Sequence, residues 1–239
     1  ILNSADEDEV IKLLTNIYIK CINDIPDCSF YFTSIIDVFV RMAENGNEKA
    51  RPIHLIESSD TEVYDVQFIK CSMNEALGSA LKAEVGIANL NVHECNFEDC
   101  QDSTAAVYCS GSPATFVNDN FYCKSNPKTA GLYIESSGKI DILLCTFDHL
   151  KKNSASPLHI VSNNNQVDDF TVSGVVFSDC YGDNLRCFSI TAHNSFTFYN
   201  NTVRDNTLGD YLGTITFPSK PANDPFTFDS CKWINNKCN

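Results

Sequence analysis

The segments Leu90-Asn91-Val92-His93-Glu94-Cys95-Asn96-Phe97-Glu98-Asp99-Cys100 and Phe226-Thr227-Phe228-Asp229-Ser230-Cys231-Lys232-Trp233-Ile234-Asn235-Asn236 follow one template. In both, apolar residues stand seven and five positions before a large apolar anchor, Phe97 or Trp233. The same pair of offsets recurs as Ala114/Phe116 before Phe121, Ile140/Ile142 before Phe147, Phe170/Val172 before Phe177 and Phe196/Phe198 before Val203. Period-two alternation puts each pair on one face of a strand and its neighbours on the other.

With Phe39 and Phe68 added, the anchors lie 29, 29, 24, 26, 30, 26 and 30 residues apart. The mean, about 28 residues, falls in the range of solenoid repeats. Two residues before the anchor stand Cys95, Asp119, Cys145, Val175, Asn201 and Cys231. Three after it stand Cys71, Cys100, Lys124, Leu150, Cys180, Asn206 and Asn236. A second alternating strand follows each anchor: Leu81/Ala83, Val107/Cys109, Leu132/Ile134, Leu158/Ile160, Phe188/Ile190 and Gly213/Ile215, with Ile53/Leu55 ahead of Phe68. The intervening loops, such as residues 162–166, are rich in Asn, Ser, Gly and Asp, the residues that turns accept most readily.

No helical pattern separates these strands, which excludes a doubly wound α/β fold. Identical offsets in every unit require vertical stacking, each coil about 4.8 Å above the last. The expected fold is all-β, a right-handed parallel β-helix of seven or eight coils. Its segments resemble the right-handed parallel β-helix, or pectin-lyase-like, superfamily. More narrowly, they are similar to the Phe-x-x-Asn repeats of polymorphic outer-membrane and protist surface proteins. The resemblance covers residues from about 30 to 239. Cys or another residue usually replaces the Asn, and the Gly-Gly-Ala-Ile partner motif of that family is absent.

Residues 1–29 carry two readings. Ser4-Ala5-Asp6-Glu7 is a capping box ahead of Val10, Leu14, Ile17 and Cys21 at helical spacing, which suits a helix lidding the first coil. Ile11, Leu13, Asn16, Tyr18 and Cys21 also fit the strand-and-anchor template of a first coil. At the other end, Trp233 anchors a strand shortly before Asn239. The expectation is a segment of a longer solenoid, or a last coil that docks on another protein or on further coils of the same chain.

Twelve cysteines allow a disulfide framework, and Cys21/Cys28, Cys180/Cys187 and Cys231/Cys238 are each seven apart. The favoured reading makes Cys71, Cys95, Cys100, Cys145, Cys180 and Cys231 small hydrophobes in stacked ladders. There is no Cys-x-x-Cys, and Cys95-x4-Cys100 with His93 is the closest approach to zinc-ligand spacing, so no metal or other cofactor is expected.

Seventeen basic against 31 acidic residues give a formal charge of −14, with Arg only at 41, 51, 186 and 204. That sign repels phosphate backbones, so nucleic acid is not an expected partner. The apolar run around residues 30–40 is too short and too interrupted to span a membrane.

Enzymes of the superfamily that the repeats resemble work on the outward face of one parallel sheet. Outward positions here are Asn91, Thr115, Asp141, Thr171, Thr197 and Thr227, then His93, Val117, Leu143, Ser173, Tyr199 and Asp229. Asp141 and Asp229 are three coils apart, roughly 14 Å at the stacking distance of strands, and a glycosidase pair must be about 5 to 9.5 Å apart. The five histidines, at 54, 93, 149, 159 and 193, fall on different rows, and no Gly-x-Ser-x-Gly is present. The chain is therefore not expected to be an enzyme.

Two outward columns are candidate contact surfaces: the rings of Tyr108, Tyr133 and His159 on successive coils, and the hydroxyl ladder of Thr171, Thr197 and Thr227. Each has a plainer reading, as ring stacking for its own sake or as β-propensity on a solvated face. Asn200-Asn201-Thr202 is the sole glycosylation sequon. The expected function is that of a non-catalytic adhesion, stalk or scaffold segment, at the cell surface or secreted, acting through protein or glycan contacts. The alternatives are a pectin-lyase-like carbohydrate enzyme and an intracellular structural protein held in a filament or cytoskeletal lattice.

Overall fold

Every strand pair of the main walls is parallel and runs from one coil to the next, so the chain winds as a parallel β-solenoid. The computed structural model describes residues 28–31, 53–55, 60–69, 71–84, 87–123, 130–136, 138–150, 156–162, 169–182, 186–193, 195–218 and 226–238. Three walls enclose the core. The first has eight strands, Cys28–Tyr31, Asp60–Tyr64, Asn89–His93, Ala114–Val117, Ile140–Leu143, Asp169–Ser173, Ser195–Tyr199 and Phe226–Asp229. The second has seven short strands from Gln67–Ile69 to Lys232–Ile234, and carries the anchors. The third has seven, from Ile53–Leu55 to Gly213–Thr216.

No helix occurs among the described residues. The fully walled turns are fewer than the seven or eight expected, because the first and last strands belong to turns described only in part. Phe39 and the helix-or-coil alternatives for the N-terminal region lie outside the described residues, apart from Cys28 and Ser29, which begin the first strand.

The template predicts the register pair by pair. Leu90, Ala114, Ile140, Phe170, Phe196 and Phe226 align as one inward ladder. The anchors Phe68, Phe97, Phe121, Phe147 and Phe177 superpose as a column of parallel rings, with centroids 4.8, 4.6, 4.9 and 5.2 Å apart. Stacked aromatic pairs contribute about 0.5–1.5 kcal/mol beyond the burial of their surface. The column then meets Val203, which is too small to continue it. Phe188 reaches in from the third wall instead, 5.7 Å from Phe177 and 6.5 Å from Trp233. Gly213 stands beside that ring, and a Cβ there would lie 2.2 Å from it.

Corners need backbone with positive φ. Asp65, Glu94, Asn118, Leu144, Gly174, Asn200 and Ser230 supply it between the first and second walls, and Asp99, His149, Asp179, Asp205 and Asn235 after the second. Asn, Asp and Gly accept this conformation most easily.

Beside each corner runs an inward column that caps the backbone of the coil before. Two residues ahead of the anchor, Asn201 Nδ2 donates to Val172 O at 2.9 Å, and the thiols of Cys95 and Cys231 lie within reach both of the equivalent carbonyls, Val63 O and Phe198 O, and of carbonyls in their own coil, His93 O and Asp229 O. Val63, Val172 and Phe198 sit at one register position. Three residues after the anchor, Cys100 and Cys180 donate to Phe68 O and Phe147 O, while Asn206 and Asn236 donate to Phe177 O and Val203 O. Asn does one thing more. Its Oδ1 accepts the N–H of the residue beneath it in the column, as Asn206 does from Cys180 at 2.9 Å and Asn201 from Val175 at 2.8 Å. Cys at these positions can share the Asn carbonyl, as Cys95, Cys100, Cys180 and Cys231 do alongside a carbonyl of their own coil, whereas, among the described residues, the thiols of Cys71 and Cys145 reach only their own coil.

Burying an unsatisfied polar group costs about 1–3 kcal/mol. Asn206→Leu is therefore expected to destabilise the chain by at least about 2 kcal/mol, and Asn206→Cys by less because it keeps the donor. Urea denaturation of the two variants and the wild type measures the order.

Candidate functional site

The outward face of the first wall is where an enzyme of this architecture would hold its chemistry. Near its middle lies a shallow open depression of about 190 Å³, bordered by Asp60, Asn89, Asn91, Thr115, Lys139 and Asp141. Lys139 Nζ lies 2.7 Å from Asp141 Oδ2, so Asp141 has a basic neighbour that the sequence rows do not reveal. Asp60 accepts from Asn89 Nδ2 at 2.5 Å. Asp60 and Asp141 belong to strands three steps apart in the sheet, roughly 14 Å at the stacking distance of strands. That is too far for two carboxylates acting on one bond.

The coil of Asp60–Tyr64 adds a pair that the sequence list, which starts at Asn91, passes over. Glu62 Oε1 lies 2.5 Å from His93 Nε2, and the His93 ring stacks on Tyr64 at 4.5 Å. The fixed offset of Glu62 and Tyr64 from Phe68 was the signal available for it. Two other histidines also lie against carboxylates, His54 on Glu84 at 2.7 Å and His149 on Asp148 at 2.8 Å.

Tyr108, Tyr133 and His159 stack in register as expected, with centroids 5.6 and 4.5 Å apart. Their faces are turned to one another along the solenoid axis. Both phenols donate to Glu135, Tyr108 at 3.0 Å and Tyr133 at 3.1 Å. Burial, with Glu135 adding to it, pushes Tyr133 up to about 12 and raises Tyr108 as well, so both stay protonated donors. Tyr108 is 5% exposed, and burial lowers the pKa of His159 against the opposing pull of Glu135. These rings have little free face to offer a sugar. Thr171, Thr197 and Thr227 align as the expected hydroxyl ladder.

The cysteines behave as packing groups. Burial raises Cys95, Cys109, Cys123 and Cys180 to about 12, and Cys100, Cys145 and Cys187 also lie above the ordinary thiol range. Thiols held this far from ionisation are poor nucleophiles at neutral pH. All ten cysteines with described side chains are free, among them Cys180, Cys187, Cys231 and Cys238.

Asp148, His149 and Asp179 place one donor atom each within 4.8 Å of one another at the corner after the second wall. Asp148 is already engaged, by His149 and by Ser178 Oγ at 2.5 Å. Residues some 30 apart in sequence meet here because they hold like offsets in successive coils.

The most unusual outward residue is Leu144. It holds φ 57° in a corner column otherwise made of Asp, Glu, Asn, Gly and Ser, and it is 61% exposed. A bulky residue in the left-handed region costs about 1–2 kcal/mol. Gly174 in the next coil accommodates it, since a Cβ there would lie 2.7 Å from Leu144 Cδ2. Val117 and Leu143 are paired in register next to it, and exposed Tyr199 stands beyond Gly174. Sequence reading lists Leu143 and Tyr199 as outward but gives no sign that Leu144 adopts a strained turn.

Family models, curated proteins and solved structures contain no match to this chain.

Leu144→Asn relieves the strain and loses little buried surface. It is expected to raise stability by about 1 kcal/mol, read as a higher urea midpoint at unchanged slope.

Proposed function

We propose that the chain is a non-catalytic rod, an adhesion, stalk or scaffold segment that works through surface contacts, chiefly with protein. The observation that carries this reading is the apolar strip of Val117, Leu143 and strained, exposed Leu144, with Tyr199 beyond it. A strained apolar side chain held in water is a cost that a contact surface explains. Glycan contact is the weaker form of the proposal, since the Tyr108, Tyr133 and His159 rings spend their faces on one another. The pectin-lyase-like enzyme remains the rival reading, and its best residues are the Glu62–His93 pair and the Lys139–Asp141 pair.

Incubation with pectic and β-glucan polysaccharides tests the two. No new reducing ends or unsaturated uronate are expected. Turnover that disappears in Glu62→Gln or Asp141→Asn would overturn the rod reading in favour of the enzyme.

For the compartment, a surface or secreted location competes with an intracellular lattice. Eight of the ten described cysteines are buried as packing groups, which suits either compartment, while exposed Cys238 and half-buried Cys231 would be prone to oxidation outside the cell. Thiol titration of the natively isolated protein under denaturing, non-reducing conditions decides it. Twelve reactive thiols are expected for the intracellular form, and four or more bridges would sink it.

A further inference from the structure

Asp119 occupies the column two residues before the anchor, between Cys95 below and Cys145 above, and is fully buried. Its Oδ1 accepts the Cys95 N–H at 2.8 Å, the bond that Asn201 Oδ1 makes with Val175 N–H one column position at a time higher up. Its Oδ2 has no hydrogen-bond partner. At the same offset Asn201 donates to the carbonyl five residues before the anchor of the preceding coil, Val172 O, and the thiols of Cys95 and Cys231 reach the equivalent carbonyls of Val63 and Phe198 as well as carbonyls of their own coil; Cys145 reaches only its own coil and Val175 has no donor. The register makes Val92 the equivalent carbonyl for Asp119. An ionised carboxylate is acceptor-only and would set oxygen against oxygen there, whereas a carboxylic acid has one O–H to give.

We propose that Asp119 is held in the stack as a neutral carboxylic acid whose Oδ2–H donates to Val92 O in place of an asparagine amide, and that losing this proton loosens the joint between the coils of Phe97 and Phe121. The rod then carries a pH-sensitive joint at a defined height. Burial is the main cause that raises the Asp119 pKa to about 7; the backbone N–H bonds oppose it and the Glu94 carboxylate adds to it. The groups that face it are Glu94 and Cys95 from the coil before and Cys145 from the coil after. Both thiols are neutral at these pH values, and none of the three offers a positive charge to hold the carboxylate ionised.

The sign follows from the two protonation states. An unfolded aspartate ionises near 3.9, so the folded chain binds the proton more tightly. Its contribution to stability is fully present below that value and is lost as pH rises through about 7.

The test is the pH dependence of unfolding of the 239-residue chain by urea between pH 5 and pH 8, for wild type, Asp119→Asn and Asp119→Cys. Relative to Asp119→Asn, the wild-type folding constant is expected to fall about a hundredfold across that range. Using the Asn variant as reference removes the opposite slope that His159 brings. Asp119→Cys, the other donor this column uses, is expected to lack the same slope and guards against a folding defect peculiar to Asn. In the infrared, a protonated-carboxyl band present in the wild type at pH 5 is expected to be absent in both variants. Parallel pH profiles for wild type and either folded variant, or no such band, overturn the proposal.

Discussion

The solenoid depends on what happens to backbone groups at its corners. Backbone bonds from coil to coil continue through the corners, as from Glu94 N–H to Val117 O, but they leave buried N–H groups such as those of Cys95, Val175 and Cys180 to be satisfied by side chains. The inward corner columns supply those side chains and send a donor to a carbonyl of the preceding coil. Where the residue is Asn, its amide oxygen also takes the N–H beneath it. A cysteine thiol makes the weaker half of that arrangement and occupies less volume. Six of the twelve cysteines, at 71, 95, 100, 145, 180 and 231, stand in these corner columns.

Hydrophobic burial supplies most of the driving force, yet it is less particular about identity. The aromatic column runs through five phenylalanines and then breaks at Val203, where Phe188 of the opposite wall takes over and Gly213 clears space for it. A core can trade a ring between walls as long as the volume is filled. The corner columns are more restricted: most of their inward residues carry a donor, Asn or Cys, while Val175 and Leu150 fill their places by packing alone. Asp119 is the acidic member of these columns, and one of its oxygens is left without a partner.

The outer surface follows a different logic. Like residues at like offsets are brought to within one coil height, so residues far apart in sequence become neighbours: His93 with Glu62, His54 with Glu84 and Tyr108 with Glu135. These contacts tie neighbouring coils together along the outside. What they leave over is the strip around Leu144, whose cost to the fold needs a reason outside the fold.

Period-two alternation and constant offsets from an anchor were enough to determine the parallel solenoid, its register and the inward or outward sense of Thr171, Thr197, Thr227, Tyr108, Tyr133 and His159. These follow from strand geometry alone, which repeats with the sequence. The number of complete turns, the cover over Tyr108, the replacement of Val203 by Phe188, and the Lys139–Asp141 and Glu62–His93 pairs were decided by tertiary structure. So were the strain at Leu144 and the orphan oxygen of Asp119. Each depends on the path of a corner or on which atom lies one coil away, and a list of residue types contains neither distance nor direction.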